Sequence, residues 1–316
     1  KSVIFTIPAK SLKAGDGVGE RFINFNLESS VSKPWSHMGT EVAWSQFALA
    51  AKPLPKAKPA KEGRNFVSQD GLILLPSCEV APKLTLWRAP TDNDLIGHIA
   101  EKWDKWGLRE LSRSNVQVTH KGATTRITTT WKTSAGITLR HQQLVESVVD
   151  GIRVTETVTL PKQLDDVARV GTNLELSGDL DQLVYFGTGP FETMPDRAIG
   201  KIHRWSSSVY DQYVPYVKPQ ENGGHVGVRW FSISNRTNHG VYFQLDKPRM
   251  VTVTPMRSAD LADATHNVFV NKSGNTIVTI DAAHRGVGTA SCGPDTLDKY
   301  RIKPGVYKWN WTALSF

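Results

Sequence analysis

The sequence predicts an all-β protein dominated by one large antiparallel sandwich. Short segments rich in Val, Ile, Thr and aromatic residues recur from about residue 72 to the end of the 316-residue chain. They do not alternate with helices in the βαβ pattern of parallel sheets, and no repeat of 20 to 50 residues indicates a propeller or solenoid. A single two-sheet domain therefore fits the second part of the chain best.

The first fifty residues predict a partial sandwich. Strands are expected at Val3–Ile7, Arg21–Leu27 and Glu41–Leu49, and a Gly-Asp-Gly turn follows the first. In the third strand, Val42, Trp44 and Phe47 are expected to be buried. So short a module buries too little surface to offset its chain entropy. Residues 1–50 are therefore expected to be part of a larger domain, in the middle of which the chain begins.

Residues 51–64 predict a basic, proline-rich linker. Three prolines favour an extended chain, and about half of the formal net charge of +8 lies here, on Lys52, Lys56, Lys58, Lys61 and Arg64 against Glu62. No helix-turn-helix, zinc pattern or aromatic RNA-binding signature accompanies this charge. Nucleic acid is therefore not an expected partner.

Residues 65–316 supply the remaining elements. Ile99, Trp103 and Trp106 have helical spacing before a stop at Gly107, and Ser258 is expected to cap a short helix that runs to Ala264. The predicted strands are Leu72–Leu75, Val116–His120, Arg126–Lys132, Ile137–Val145, Ile152–Leu160, Asn173–Ser177, Leu183–Phe186, Val226–Ile233, Gly240–Leu245, Met250–Val253, Asn267–Val270, Ile277–Ala282 and Val306–Thr312.

Leu86–Asp94, with the sequence LWRAPTDND, is the most distinctive segment. It places an aromatic ring, a fixed cation and two carboxylates around a proline bend, where side chains commonly bond to backbone. The simplest interpretation is an ordered loop in which Arg88 pairs with Asp92 or Asp94. Calcium binding by the two aspartates is less favoured, because their spacing does not fit an EF-hand loop.

Two further segments contain candidate chemical groups. Gly187–Arg197 has a GxG, but it lacks the third glycine of a dinucleotide loop and carries Pro190 where an N–H is needed. Tyr213–Gly224 is expected to be a long loop held by Gln220, Glu221 and Asn222. As a pair of carboxyls for glycosidase chemistry, Glu192 with Glu221 is the first choice, although nothing marks either as a nucleophile.

Other classes of site receive little support. There is no HExxH or paired CxxC, so neither a metal nor another cofactor is expected, and no apolar run is long enough for a membrane span. Cys78 and Cys292 could form at most one disulfide and leave the compartment open; a bacterial source would favour the cytoplasm. Most of the ten tryptophans, including Trp44, Trp230, Trp309 and Trp311, lie at positions expected to be buried.

Taken in order, four segments resemble the C-terminal part of the bacterial-type β-galactosidases of glycoside hydrolase family 2. They are Trp87–Asp94, Gly187–Arg197, Tyr213–Gly223 and Gly286–Asp295, and Gly39–Trp44 resembles the end of the preceding domain. The resemblance implies a partial immunoglobulin-like sandwich, a linker and a galactose-mutarotase-like β-supersandwich. It also implies that the catalytic glutamates lie in a TIM barrel absent from this chain, so Glu192 and Glu221 become structural residues.

The resemblance further implies a role at the mouth of the active site. Cys292 matches a position that carries an aromatic platform in some family members and Cys in others, and Leu95–His98 matches a mobile loop near the same mouth, here shortened. Cys292, Leu95, Ile96, Gly97 and His98 are therefore the expected substrate-mouth residues. The expected partners are a β-galactoside and the catalytic barrel, as a domain or a large subunit of the same enzyme.

Two other functions stay open. The aromatic residues and the predicted sandwich also suit an autonomous carbohydrate-binding module. An aldose-mutarotase-like enzyme would use a His and a Glu in a cleft, for which His225 and Glu221 are the candidates.

Overall fold

The computed structural model describes residues 6–8, 19–49, 51–60 and 66–316. The predicted turn at residues 15–17, most of the predicted strand Val3–Ile7 and the end of the basic linker lie outside these residues; Thr6–Pro8 is described and is not a strand. The chain divides into two compact units, Lys1–Ala57 and Lys58–Phe316. The boundary between them falls inside the segment predicted to be a linker.

The described part of the first unit contains one antiparallel hairpin. Strands β1 (Phe22–Glu28) and β2 (Glu41–Ala48) pair with Ile23 opposite Phe47. The predicted burial of Val42, Trp44 and Phe47 is wrong, because these side chains are 66%, 37% and 56% exposed. The two strands described in this unit have no second layer, among the described residues, against which their apolar face can pack.

The described residues of the second unit form an antiparallel β structure with three short helices, which confirms the predicted all-β class. The helices are α1 (Asp92–Ile96), α2 (Ile99–Trp106) and α3 (Ser258–Asp263). The strands are β3 (Cys78–Thr85), β4 (Leu111–Lys121), β5 (Thr124–Thr133), β6 (Thr138–Val148), β7 (Gly151–Leu160), β8 (Arg169–Leu176), β9 (Gln182–Gly189), β10 (Lys201–Ser208), β11 (Gly224–Ser234), β12 (Gly240–Thr254), β13 (Thr276–His284) and β14 (Gly305–Ser315).

The sheet branches at β12. Its main path runs β10-β9-β11-β12-β14-β7-β6-β5-β4, and a side branch runs from β12 through β13 and β8 to β3. Residues 241–245 of β12 pair with β14, and residues 250–254 pair with β13. One long strand therefore joins two arms of the sheet, which diverge at residues 246–249.

The core is one large cluster of buried apolar side chains drawn from both arms of the sheet. Every even-numbered residue from Ile152 to Leu160 is buried, while Trp103, Trp309 and Trp311 are completely buried. The indole N–H of Trp103 donates to the Asp166 carbonyl at 2.8 Å, so α2 is fastened to the core by a polar contact as well as by packing.

Several local predictions were wrong for identifiable reasons. Asn267–Val270 forms a 3-10 turn, Leu72–Leu75 contributes only an isolated bridge at Ile73, and two predicted strands are both part of β12. Strands β3 and β10 were missed: β3 contains Pro82, and β10 mixes charged and polar residues. The short helix after Ser258 is present, but Arg257 occupies its N-cap and the Ser258 hydroxyl bonds elsewhere.

Candidate functional site

The four distinctive motifs converge although they are far apart in sequence. We call this assembly the platform: Trp87–Asp94, Gly187–Arg197, Tyr213–Gly223 and Gly286–Asp295. Its centre is a fully buried ion pair in which Arg88 Nη2 lies 2.9 Å from both carboxylate oxygens of Asp94. The predicted pairing of Arg88 is thus confirmed, with Asp94 as the partner.

Asp94 also caps the start of helix α1, of which it is the third residue. Its carboxylate accepts from the Thr91 N–H at 2.9 Å, while the Thr91 hydroxyl accepts from the Asp94 N–H, which together form a capping box. The helix was missed because Pro90 and the polar run suggested only a bend. Since Asp94 binds both Arg88 and Thr91, the ion pair fixes where α1 starts and hence where Leu95–His98 leaves the platform.

Arg88 ties the first motif to the fourth. Its Nη1 donates at 2.7 Å to the carbonyl of Arg285, which directly precedes the fourth motif, and its Nη2 donates at 3.4 Å to the carbonyl of Gly286. The Arg285 side chain is itself buried, contacts Asp166 and Asp295 at 3.0 and 2.9 Å, and lies 3.5 Å from Asp94. Burial raises the pKa of Asp166 despite the neighbouring Arg285. The charges are thus paired within a network that, apart from the partly exposed Asp295, has little access to water.

Gln220, Glu221 and Asn222 of the third motif bond to backbone groups, as predicted, and two of these bonds hold the first motif. Gln220 Oε1 accepts from the Asp92 N–H at 3.2 Å, Glu221 Oε2 accepts from the Ala89 N–H at 3.2 Å, and Asn222 Oδ1 accepts from the Val214 N–H at 3.0 Å. These bonds satisfy backbone donors that have no strand partner.

Glu221 is also one end of a buried chain of charges that runs through Arg169 to Asp281. Its Oε1 contacts Arg169 at 3.0 Å, and Arg169 binds both oxygens of Asp281 at 3.0 Å. The other Glu221 oxygen accepts from the Ser258 hydroxyl at 2.9 Å. Both oxygens of Glu221 are therefore occupied.

The second motif braces the fourth. Asp196 accepts from the N–H groups of Val287 and Gly288 at 3.0 and 2.7 Å. Glu192 binds Arg197 at 2.6 Å, the Tyr216 hydroxyl and the Gly223 N–H at 2.9 Å. The candidate carboxyls Glu192 and Glu221 thus join their own motifs to neighbouring ones, and these bonds match a structural role.

Asn93 brings the two expected mouth segments together. Its Nδ2 donates to the Gly288 carbonyl at 2.8 Å, and its Oδ1 accepts from the backbone N–H and the hydroxyl of Ser291 at 3.0 and 2.6 Å. A Cβ built on Gly97 would lie 2.9 Å from the Ala290 Cβ. The loop that contains Cys292 therefore packs directly on the Leu95–His98 segment.

The five expected mouth residues lie at this contact with different exposures. Cys292 is an exposed free thiol, Leu95 and Ile96 are 44% and 54% exposed, His98 is exposed and Gly97 is half-buried. His98 has a positive φ of 59° and pairs with Glu101 at 2.7 Å. Large apolar side chains are exposed within or next to the other motifs too, namely Phe191, Ile199, Val217 and Leu297.

Two histidines near the platform are neutral at ordinary pH. Burial lowers the pKa of His225 to about 4, and its ring nitrogens lie near Gln212 Oε1, the Thr188 carbonyl and the Tyr185 hydroxyl. Burial also lowers the pKa of His284, with a further decrease from Arg88. His225 and Glu221, the candidate mutarotase pair, are both buried and have different partners.

Several residues that organise this region carry no recognisable signal in the sequence. Asp196, Arg169, Arg285 and Ser291 act through partners more than 90 residues away or through backbone atoms. A buried pair in the core, Glu156 with His141 at 2.9 Å, was also missed. His141 and other bonds to Glu156 lower the pKa of this carboxyl in spite of its burial.

Within residues 6–8, 19–49, 51–60 and 66–316, no group of three or more His, Cys, Asp or Glu side chains is placed to hold a metal ion. No helix in those ranges combines the length and apolar character required to cross a membrane.

Comparisons with known proteins agree on one family. A family model described as "Beta galactosidase small chain" matches residues 64–312. A β-galactosidase from Arthrobacter is 25% identical over 90% of this chain and 32% of the relative. One from Bifidobacterium adolescentis is 30% identical over 66% of this chain and 21% of the relative. The chain thus spans about a third or less of the length of these curated relatives.

Solved structures give a weaker likeness. A putative aldose 1-epimerase from Escherichia coli aligns with a TM-score of 0.35 and 12% identity, covering 64% of this chain and 69% of that one. A galactose mutarotase-like protein from Lactobacillus casei aligns with a TM-score of 0.36 and 10% identity, covering 64% and 73%.

Proposed function

Because the chain belongs to the β-galactosidase small-chain family, we propose that it is a non-catalytic part of an enzyme that hydrolyses terminal β-D-galactosides such as lactose. In this proposal a catalytic TIM barrel, supplied by another domain or subunit, holds the two catalytic glutamates. The present chain borders the barrel's substrate pocket with its platform and needs no cofactor of its own.

The observation that carries the proposal is the contact made by Asn93. Three hydrogen bonds between this side chain and Gly288 and Ser291 hold these two residues against α1. The Cys292 loop and the Leu95–His98 segment therefore form one ledge. A ledge whose shape is fixed by buried ion pairs can contribute a wall to a pocket without contributing a reacting group. Cys292, Leu95, Ile96, Gly97 and His98 are the proposed substrate-mouth residues.

Exposed apolar side chains support an interface in the same region. Phe191 is 83% exposed and Ile199 87% exposed, at the second motif, and Val217 of the third motif is 79% exposed. Apolar side chains grouped on a surface commonly mark contacts with another domain. We propose that the remainder of the enzyme covers them.

Complementation tests the proposal. Purified chain is mixed with the barrel polypeptide of the same enzyme, and hydrolysis of a chromogenic β-galactoside is measured. We expect activity in the mixture, and none from this chain alone. A mixture that binds, as shown by co-elution, but stays inactive would contradict the proposed role, as would hydrolysis by the isolated chain.

Thiol labelling tests the mouth residues separately. Cys292 is exposed, whereas burial raises the pKa of Cys78 to about 12, so a maleimide should react with Cys292 and spare Cys78. A bound galactoside should slow labelling of Cys292 in the assembled enzyme and leave it unchanged in the isolated chain. Equal labelling rates with and without the sugar in the assembled enzyme would remove Cys292 from the mouth.

The two alternative functions receive less support. Both His225 and Glu221 are about 4% exposed and bound to other side chains, which is unfavourable for proton transfer to a sugar. Polarimetry on fresh α-galactose would reveal mutarotase activity by a faster rotation change than the spontaneous one. Calorimetry of the isolated chain with galactose, lactose and galactans would reveal an autonomous binding module.

A further inference from the structure

The branch in the sheet opens a cleft of about 440 Å³ that the proposed function does not use. We call it the β12 cleft; it lies where residues 246–249 of β12 pair with neither β13 nor β14, and it is lined by Lys247, Pro248, Met250, Lys299, Tyr300 and Arg301, among others. Cavities of a few hundred Å³ are of the size that holds small ligands.

Two irregular strands widen this opening. The register of β13 shifts between Asp281 and Ala283, and that of β11 shifts between His225 and Val228, with Gly227 at a φ of +67°. Asp281, Ala283 and Gly227 all line the cleft. Bulges at the same place in two strands turn backbone and side chains out of the ladder, an arrangement often found beside binding sites.

The charge of the cleft is positive. Lys247, Arg249, Lys299 and Arg301 line it, and Asp281 is the one carboxylate among its lining residues, all of which belong to the described part of the chain. Arg169 already binds both oxygens of that carboxylate. Arg249 pairs with Asp246 and Arg301 with Asp295.

The two lysines are left without such a partner. In the described part of the chain, neither Lys247 nor Lys299 has a carboxylate in ion-pair contact, and Lys299 lies over the Tyr300 ring. Two such ammonium groups at one opening favour an oxyanion.

The rest of the lining suits a carbon skeleton with hydroxyl groups. Pro248, Met250 and the Tyr300 ring offer apolar contact. Tyr307 donates its hydroxyl proton to the Lys303 carbonyl at 2.5 Å, so its oxygen can still accept a hydrogen bond. We propose that the β12 cleft binds a phosphorylated monosaccharide, with the phosphate facing Lys247 and Lys299 and the sugar ring against Tyr300.

Calorimetric titration of the 316-residue chain tests this assignment. Galactose 6-phosphate, galactose and inorganic phosphate are titrated separately at low salt. We expect saturable one-to-one binding of the sugar phosphate, at least about tenfold tighter than that of either part. If inorganic phosphate bound as tightly as galactose 6-phosphate, the cleft would be only an anion site. If galactose bound as tightly, the lysines would have no role. Either result overturns the proposal, as does the absence of saturable binding at millimolar ligand.

Two double variants test whether the ligand binds at Lys247 and Lys299. Lys247→Gln with Lys299→Gln should weaken binding by about tenfold, because each loses a favourable charge contact. Lys105→Gln with Lys162→Gln removes the same charge from exposed positions elsewhere and should change affinity by less than about twofold. Equal weakening in both double variants, or in neither, would overturn the assignment. Complementation of β-galactosidase activity should be the same for both, so this test is independent of the proposed function.

Discussion

Ser291 donates two hydrogen bonds to one oxygen of Asn93, a residue 198 positions away in the chain. Asn93→Ala removes both, together with the bond to Gly288, while Thr91 and Asp94 still cap α1. We expect a loss of about 1 kcal/mol in unfolding free energy, because water can replace bonds at this exposed edge. The main change should be faster hydrogen–deuterium exchange at the Ser291 amide.

Asp92→Ala is the control for Asn93→Ala. Its side chain is exposed and precedes Asn93 in the same turn of helix. It should leave exchange at Ser291 unchanged. If Asn93→Ala also leaves that amide protected, the side chain does not hold the loop.

Gly97→Ala should push the Leu95–His98 segment away from the loop that contains Cys292, at a contact that does not involve the Asn93 side chain. The new Cβ would lie 2.8 Å from the Asn93 carbonyl oxygen and 2.9 Å from the Ala290 Cβ, closer than such atoms approach one another. Exchange should increase across residues 288–293, although every hydrogen-bonding side chain remains. Gly136→Ala, strained by its φ of +88° but with only Lys132 Cε nearby at an ordinary 3.8 Å, should lower stability without this local signature.

Arg88→Ala should be among the most damaging single changes. It leaves the completely buried Asp94 carboxylate without its main partner, which costs about 3–5 kcal/mol in other buried pairs. Denaturant unfolding measures this loss. Arg109→Ala breaks the exposed pair with Asp263 and should cost about 1 kcal/mol or less. An assembled enzyme with Arg88→Ala that kept its stability but lost its chemical step would refute the structural role of Arg88.

Acid should destabilise the fold through His225. In the unfolded chain the histidine binds a proton near its ordinary pKa of 6.5, but in the folded chain only near a pKa of about 4. The unfolded state therefore gains protons first, and stability should fall as the pH drops from 6.5 to 4, by about 3 kcal/mol from this group.

Melting temperatures at several pH values test the His225 prediction. His225→Gln should be less stable at neutral pH but should lose less stability on acidification. His120→Gln, on an exposed part of β4, should keep the wild-type slope. An unchanged slope in His225→Gln would contradict this account of the buried ring.

Predictions from sequence succeeded where partners are close along the chain. The pairing of Arg88 with Asp94 and the stop of α2 at Gly107 depend on a few consecutive residues. The contact of Asp196 with Val287 and Gly288 joins residues 91 and 92 positions apart, and no local pattern announces it. Glu156 lies in the predicted strand Ile152–Leu160, but only the pairing of β6 with β7 shows that His141 reaches it.

The strand β12 shows why local breakers can mislead. Pro248 and the charges around it predicted a gap between two strands. In the fold, residues 246–248 have no ladder partner on either side, so the missing N–H of proline leaves no acceptor unsatisfied. Whether a proline breaks a strand thus depends on neighbours that the local sequence does not specify.

The position of β14 has a consequence for synthesis on the ribosome. β14 lies between β7 and β12, pairing Gly305–Leu314 with one and residues 311–315 with the other, yet it is translated after both. Until it emerges, the nascent chain carries two long unpaired strand edges, which are prone to pair with other chains. We therefore expect a ribosome stalled before residue 305 to display a chaperone-dependent intermediate, and release of β14 to convert it to the complete sheet.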